Sequence, residues 1–407
     1  MKLFHASDLH YAPSTLDEVD RCFGFAVDVA VGEECDAAVI TGDIFDHRVE
    51  LHSPCVAALL RQVHRLAGHM PVLILQGTFS HDAPGSLDVF KTLAGKHPVA
   101  GADRICQVLL TATGGWVVSE SWQGEFDGAS PRAIFSCLPS INKAGVAAVC
   151  GTQAVGEAVG EHIHNLLTAW RDSNEAARQV NVPTVVLSHG TVSGSITEHG
   201  VPMAGLDHEY TVGSLFAAGA SAVCLGHIHQ HQEWEQEGRR VAYPGSIGRL
   251  HFGEVQPKGF LIWNVEADGA DCRFIETPAK RLVQIEFPGA PDMDELKTLA
   301  AAASDAHVRI RYVLDEEHRH GVDKAAITAL FAAAAEVKIE ARINPIQRTR
   351  AEGMYRAQTL ADKLAKWCEV TQTDPAPLTE RLAVVGHKDP EAIVADILGE
   401  TRREAAA

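Results

Sequence analysis

Lys2-Leu3-Phe4-His5-Ala6-Ser7-Asp8-Leu9-His10 is a short apolar run that stops on a carboxylate and an imidazole. The same figure returns four times along the chain. Ala37–Thr41 ends in Gly42-Asp43, and Val72–Leu75 in Gly77 with His81-Asp82 beyond it. Thr184–Leu187 ends in Ser188-His189, and Ala222–Leu225 in Gly226-His227-Ile228-His229. Short aliphatic runs bounded by turn residues read as buried strands. Helical spacing separates the early ones. Thr15-x-x-Glu18 is a capping box ahead of Val19, Phe23, Val27 and Ala30. Ser53-Pro54 opens a second helix with Val56, Leu60, Val63 and Ala67 on one face and Gly68 as its stop. Strands alternating with helices imply a parallel-type sheet with helices packed on it. Ligands of such sheets sit at the carboxyl ends of the strands, so five ends carrying Asp and His imply one convergent polar site.

Beyond His229 the pattern turns antiparallel. Trp234–Tyr243 predicts a hairpin around Glu237-Gly238, and Gly259–Val265 pairs with Cys272–Ile275 across Ala267-Asp268-Gly269. Pro278 and Pro288-Gly289-Ala290-Pro291 mark a boundary. A smaller unit follows, with Val308, Ile310 and Tyr312 alternating, a helix over about Asp323–Ala335, and Val337, Ile339, Ala341 and Ile343 alternating again. From Arg348 the chain reads as helical. Leu360, Leu364 and Trp367 share a face, and Asp389-Pro390 opens a last helix carrying Ile393, Val394, Ile397 and Leu398.

The 407 residues suffice for two or three domains at about 150 each. An apolar fraction of 46% and a charged fraction of 22% exclude wholesale disorder. No apolar run approaches the roughly 18 residues of a membrane span, and Asp8 and His10 interrupt the start before a signal peptide could develop. The 53 acids against 35 bases, a net −18, argue against coating nucleic acid through overall charge, though not against a nuclease whose metal ions supply positive charge locally. Nine scattered cysteines without a CxxC pair read as reduced thiols of a cytoplasmic protein.

Asp8-x-His10, Gly42-Asp43-x-x-Asp46, His81-Asp82, His189 and Gly226-His227-x-His229 form a mixed carboxylate–imidazole set. Such sets suit Mn²⁺, Fe²⁺ or Zn²⁺ better than Ca²⁺ or Mg²⁺. They are also too many for one tetrahedral ion. Two ions about 3.5–4 Å apart, with a carboxylate between them, would use them all, as in phosphoester hydrolysis.

In this order the blocks resemble the calcineurin-like metallophosphoesterases, and within them the SbcD-like DNA repair nucleases. Tyr243-Pro244-Gly245-Ser246 and Lys258-Gly259-Phe260 resemble further SbcD-type segments. The likeness covers roughly the first two thirds of the chain. It implies a four-layered α/β sandwich over residues 1–278, a small α/β capping domain over 279–345 and a helical tail over 346–407. It implies one metal on Asp8, His10 and His229, a second on His189 and His227, and Asp43 bridging them. His81 is then the catalytic histidine, Asp82 orients it, and Asp46 orients the surrounding groups. The family pattern Gly-Asn-His-Asp is replaced by Gly77-Thr78-Phe79-Ser80-His81-Asp82. Alignment on His-Asp puts Ser80 in the Asn position, as a shorter and weaker ligand of the second metal.

The implied activity is that of a DNA exonuclease and endonuclease using two divalent ions, Mn²⁺ first among them. The chain would be the nuclease subunit of a repair and recombination complex, a homodimer whose tail grips an SbcC-like SMC-family ATPase. The rival readings are a phosphatase or cyclic-nucleotide phosphodiesterase of the same superfamily, and a catalytically weakened binding subunit. Arg249, after Gly245-Ser246-Ile247-Gly248, is a candidate phosphate contact. His162, His164, His318, His320 and the Arg348–Arg350 pair read as surface or structural residues.

Overall fold

The computed structural model describes residues 1–47, 50, 52–93, 95–119, 130–141, 155–197, 200–201, 209–345 and 354–404. In chain order the elements begin β1 (Lys2–Ala6), α1 (Leu16–Gly32), β2 (Ala37–Thr41), α2 (Pro54–Ala67), β3 (Val72–Leu75), α3 (Asp88–Lys91) and β4 (Val99–Ala102). They continue β5 (Cys106–Thr111), β6 (Trp116–Val118), β7 (Pro131–Leu138), α4 (Val155–Gln179), β8 (Thr184–His189), β9 (Thr191–Val192), β10 (Glu209–Tyr210), α5 (Val212–Ala217) and β11 (Ala222–Gly226). After these come β12 (Gln232–Gln236), β13 (Arg239–Tyr243), β14 (Gly259–Val265), β15 (Ala270–Glu276), β16 (Arg281–Phe287), α6 (Met293–Ala301), β17 (Ala306–Asp315), α7 (Lys324–Leu330) and β18 (Glu336–Asn344). The last are α8 (Leu360–Thr371), α9 (Pro375–His387) and α10 (Pro390–Glu404).

The chain is mixed α/β, and its strand ends converge from two sheets rather than one. A six-stranded sheet runs β15-β14-β1-β2-β3-β4, with β1 to β4 parallel and β14 antiparallel to β1. A seven-stranded sheet runs β12-β13-β11-β8-β7-β5-β6, parallel from β13 to β7. Alternate residues of each strand explain why the runs are continuously apolar. Phe4, Ile40 and Ile74 pack on Val19, Phe23 and Val27 of α1 and Leu59 and Val63 of α2. Their neighbours Leu3, Val39 and Leu73 pack instead against Val108, Phe135, Val185 and Leu187 of the second sheet. On that sheet's other side, Val186, Val223 and Val241 meet Ile163, Leu167 and Trp170 of α4. A strand buried on both faces must be apolar at every position, and each such large side chain contributes roughly 1.5–3 kcal/mol.

A buried polar relay crosses between the sheets. The Trp263 indole donates to His5 Nδ1 (3.3 Å), His5 Nε2 meets Thr41 Oγ1 (2.8 Å), and Thr41 Oγ1 donates to the Leu225 carbonyl of β11 (3.2 Å). Indole nitrogen is a donor only, so His5 carries its proton on Nε2 and donates to Thr41. The proton of Thr41 is then free for Leu225.

Local signals hold in most places. Ser53 accepts from Cys55 N at the start of α2, and the β12–β13 turn places Glu237 (φ 53°) and Gly238 (φ 74°) in the positive-φ region that a two-residue hairpin requires. The capping box does not form. Thr15 Oγ1 donates to the carbonyls of His10 and Ala12, and Glu18 instead accepts from Lys280 N (2.7 Å) and pairs with Arg21. A tertiary contact takes the carboxylate away from its own helix end.

The chain divides into two compact units. The first is Met1–Glu286, Asp292–Arg311 and Lys324–Glu340; the second is Phe287–Pro291, Tyr312–Asp323 and Ala341–Ala407. β16, β17 and β18 form a three-stranded sheet. β17 shows the alternation read from Val308, Ile310 and Tyr312, all buried. The helix expected over Asp323–Ala335 is shorter, ending at Leu330. α8, α9 and α10 leave apolar side chains exposed, among them Leu360, Val385, Val394, Ile397 and Leu398. His162, His164, His318 and His320 are exposed, as read, whereas Arg348–Arg350 and Cys150 lie outside the described residues. The eight described cysteines are free thiols. Among the described residues no helix is long and apolar enough to cross a membrane.

Candidate metal centre

Among the described residues, four of the nine non-glycine residues with positive φ are Asp8 (50°), His10 (49°), Asp43 (49°) and His227 (106°). Left-handed backbone costs of order 1–3 kcal/mol at such residues and persists only where surrounding contacts over-determine it. Those contacts are present. Asp8 N, His10 N and Tyr11 N donate in sequence to the carbonyls of Gly42, Asp43 and Ile44, so the β1 and β2 ends run on side by side. His227 N donates to both carboxylate oxygens of Asp8 at 3.0 Å, which draws the β11 end to the β1 end. Glycine is required at the crowded points. A Cβ on Gly77 would run into the Asp43 main chain, and one on Gly226 into the Thr41 carbonyl.

Among the described residues three clusters of candidate ligands form, two triads faced by Asp43 and a third of His10 with Asp46 and His81. Asp8, His10 and His229 present ligand atoms all within 4.8 Å of one another, and so do Asp43, His189 and His227. Asp43 faces both, with Oδ1 3.3 Å from His189 Nε2 and Oδ2 4.0 Å from His10 Nε2. Neighbouring ligands of an ion held at about 2.1 Å lie roughly 3–3.5 Å apart, close to the 3.3 Å between Asp43 Oδ1 and His189 Nε2 and the 3.0 Å between His10 Nε2 and His229 Nε2.

The tautomers point the same way. His189 Nδ1 lies 2.7 Å from the Thr41 carbonyl, an acceptor, so the ring proton sits there and the Nε2 lone pair faces the Asp43 carboxylate. That Nε2 is buried with no hydrogen-bond partner. His229 Nδ1 donates to Glu254 Oε1 (3.0 Å), which leaves its Nε2 lone pair 3.0 Å from His10 Nε2. Lone pairs aimed at a carboxylate and at one another repel unless a cation, or a proton in its place, lies between them. The residues therefore fit divalent metal ions, and nitrogen-rich donor sets favour the transition metals.

Charge follows the same logic. Burial alone would lower the His189 pKa, but Asp43 and Asp8 outweigh it and raise the value to about 10. Burial opposes ionisation of Asp43, yet His189, His10 and His81 hold it below the usual carboxylate range. Burial, then the Asp43 charge, pushes Asp82 up to about 7. His10 is kept well below 6.5, first by burial and then by His229.

His81 lies beside the first triad, its ring 4.7 Å from that of His10 and edge-on to it. Asp46 stands next to both, with Oδ1 3.6 Å from His10 Nδ1. Three expectations need correction. Asp82 does not orient His81: its carboxylate turns inward and accepts from Gly77 N (2.9 Å) and Ile44 N (3.0 Å), while His81 Nδ1 meets the Asp46 carbonyl. Ser80 is exposed, and the hydroxyl that reaches Asp43 belongs to Thr78, because the added residues are absorbed in a turn where His81 N and Asp82 N both return to the Thr78 carbonyl. Arg249 is no phosphate contact, since its guanidinium is spent on the carbonyls of Glu254, Val255, Gln256, Ala279 and Lys280.

Sequence reading missed Glu254 and Lys258 as a pair. Both are almost completely buried, 3.3 Å apart, and Lys258 Nζ also donates to the His229 carbonyl (2.9 Å). His229 is thus held by its ring and by its main chain. Burial would raise the Glu254 pKa, but His229 and Lys258 bring it down to about 2. In the sequence these are two charged residues in a polar loop, with nothing local to join them to a histidine 25 and 29 positions away.

No family model and no curated protein matches the chain. Among solved structures it is similar to the Plasmodium inner-membrane-complex anchor GAP50, at TM-score 0.41 and 12% identity over 68% of this chain and 84% of that one. A dimetal phosphatase from Danio rerio is similar at TM-score 0.38 and 11% identity over 67% and 98%. A predicted phosphoesterase from Streptococcus pneumoniae is similar at TM-score 0.24 and 10% identity over 67% and 97%. Likenesses this distant leave the chemistry to be read from the chain's own side chains.

Proposed function

We propose that this chain is a metal-dependent phosphoesterase holding two divalent ions, and that its substrate is DNA. The carrying observation is the pair of three-residue clusters faced by the two oxygens of Asp43. Asp8, His10 and His229 would hold one ion, His189 and His227 the other, and Asp43 both. Such a pair supplies an acidified water and charge neutralisation at phosphorus. The chain does the rest. The Asp46 carbonyl fixes Nδ1 of His81 as the protonated nitrogen, so Nε2 is the atom that can exchange a proton or a hydrogen bond with substrate. The Asp82 carboxylate clasps the Gly77 and Ile44 main chains and keeps the β2 and β3 ends in register.

The finer reading follows the likeness to SbcD-like nucleases. Residues 1–278 would form a four-layered sandwich, 279–345 a capping domain, and the helical tail over 346–407 an ATPase-binding element of a cytoplasmic homodimer, with Mn²⁺ as the working metal. The apolar side chains exposed on α8 to α10 support a protein partner for the tail.

End-labelled duplex and hairpin DNA, incubated with Mn²⁺, should be cleaved by the wild type and at least 100-fold more slowly by His81→Ala. Hydrolysis of bis-p-nitrophenyl phosphate with DNA left intact would make the chain a small-molecule phosphodiesterase. No hydrolysis of either, with Mn²⁺, Zn²⁺ or Fe²⁺, would overturn the phosphoesterase reading.

A further inference from the structure

The second triad, Asp43, His189 and His227, is one neutral oxygen richer than its histidines and carboxylate suggest. Thr78 donates to Asp43 Oδ1 twice, from its main-chain N (2.7 Å) and from Oγ1 (2.6 Å). The same oxygen is 3.3 Å from His189 Nε2, which is buried and without a hydrogen-bond partner. The hydroxyl is therefore beside the point where Asp43 and His189 converge. Its position is rigid, because Gly77 lies so close to Asp43 that no side chain would fit there. A hydroxyl has one proton and two lone pairs, so donation to Asp43 leaves lone pairs for a cation.

We propose that Thr78, through Oγ1, completes the cation site of Asp43, His189 and His227. The inference rests on the two-ion reading above. It predicts unequal sites, because a neutral hydroxyl is a weak donor and the ion it serves should be the looser of the two. It also assigns the ligand to a residue that alignment on His81-Asp82 passes over.

The test is calorimetric titration of the metal-stripped full chain with Mn²⁺ alone, for wild type, Thr78→Val, Thr78→Ser and Ser80→Ala. Wild type should show two ions of different affinity. Thr78→Val, which keeps shape and loses the oxygen, should weaken the looser ion at least tenfold and move the tighter one less than twofold. Thr78→Ser should restore the looser ion to within about threefold, and Ser80→Ala should match wild type at both sites. Thr78→Val weakening both ions equally would show a mere prop for Asp43 and overturn the proposal, as would two unchanged affinities. Failure of the wild type to bind two ions would instead sink the two-ion reading itself.

Discussion

His5 offers a quantitative test of how the two sheets are held together. Its ring must stay neutral, since Nδ1 accepts from Trp263 while Nε2 donates to Thr41. A second ring proton would point at the indole N–H. Burial lowers its pKa from 6.5 to about 3. The sign is that of a buried neutral base: the folded form binds fewer protons than the unfolded one, so stability is full above pH 6.5 and is lost as pH falls towards 3. With 1.36 kcal/mol per pKa unit, the drop from pH 7 to pH 5 removes about 2 kcal/mol, and the descent to pH 3 about 4 kcal/mol. The variant His5→Gln has an amide that can serve Thr41 but does not titrate. Urea unfolding of both proteins at pH 7 and pH 5 isolates the effect, because every other titrating group is common to them. The wild type should lose about 2 kcal/mol more than His5→Gln over that interval. Parallel losses would mean that His5 is not held neutral, and the relay from Trp263 to Leu225 would be wrong.

Arg249→Met should lower stability by roughly 2–4 kcal/mol through the carbonyls it leaves without a donor, with KM for any phosphodiester unchanged; a raised KM at unchanged stability would return Arg249 to the substrate. Glu254→Gln should weaken the ion of Asp8, His10 and His229 by about 10–100-fold and leave the other ion alone, as read by Mn²⁺ titration. Equal weakening of both would make Glu254 a scaffold residue. Gly77→Ala should cost more than about 2 kcal/mol and depress Tm, because the added Cβ meets Asp43 main chain rather than a flexible side chain.

The five strand ends were legible because two independent signals coincide there, a buried apolar run and a polar stop, and neither depends on distant contacts. The structure brings Asp8, His10, Asp43, His189, His227 and His229 together as their positions suggested. What the sequence did not show was direction within a turn. Thr78, Ser80 and Asp82 lie within five residues, and which of them faces Asp43 depends on a tight turn closed on the Thr78 carbonyl. Glu18 likewise reads as a cap until Lys280, 262 residues away, presents its amide. Arg249 reads as a free cation until the carbonyls that consume it are assembled.

Thr41 shows why such residues escape a linear reading. By composition it is one more β-branched residue at the end of a buried strand. In three dimensions its carbonyl accepts from Ser7 Oγ and fixes the His189 tautomer, while its hydroxyl accepts from His5 Nε2 and donates to the Leu225 carbonyl. Sheet docking, through the Thr41 hydroxyl, and ligand presentation, through its main-chain carbonyl, therefore share one residue. A substitution at Thr41 removes the sheet-to-sheet hydroxyl contact with Leu225, while the carbonyl that sets the His189 tautomer stays in the main chain. The strain stored at Asp8, His10, Asp43 and His227 is tolerated for the same reason, since the contacts that hold it are those that close the core beneath it.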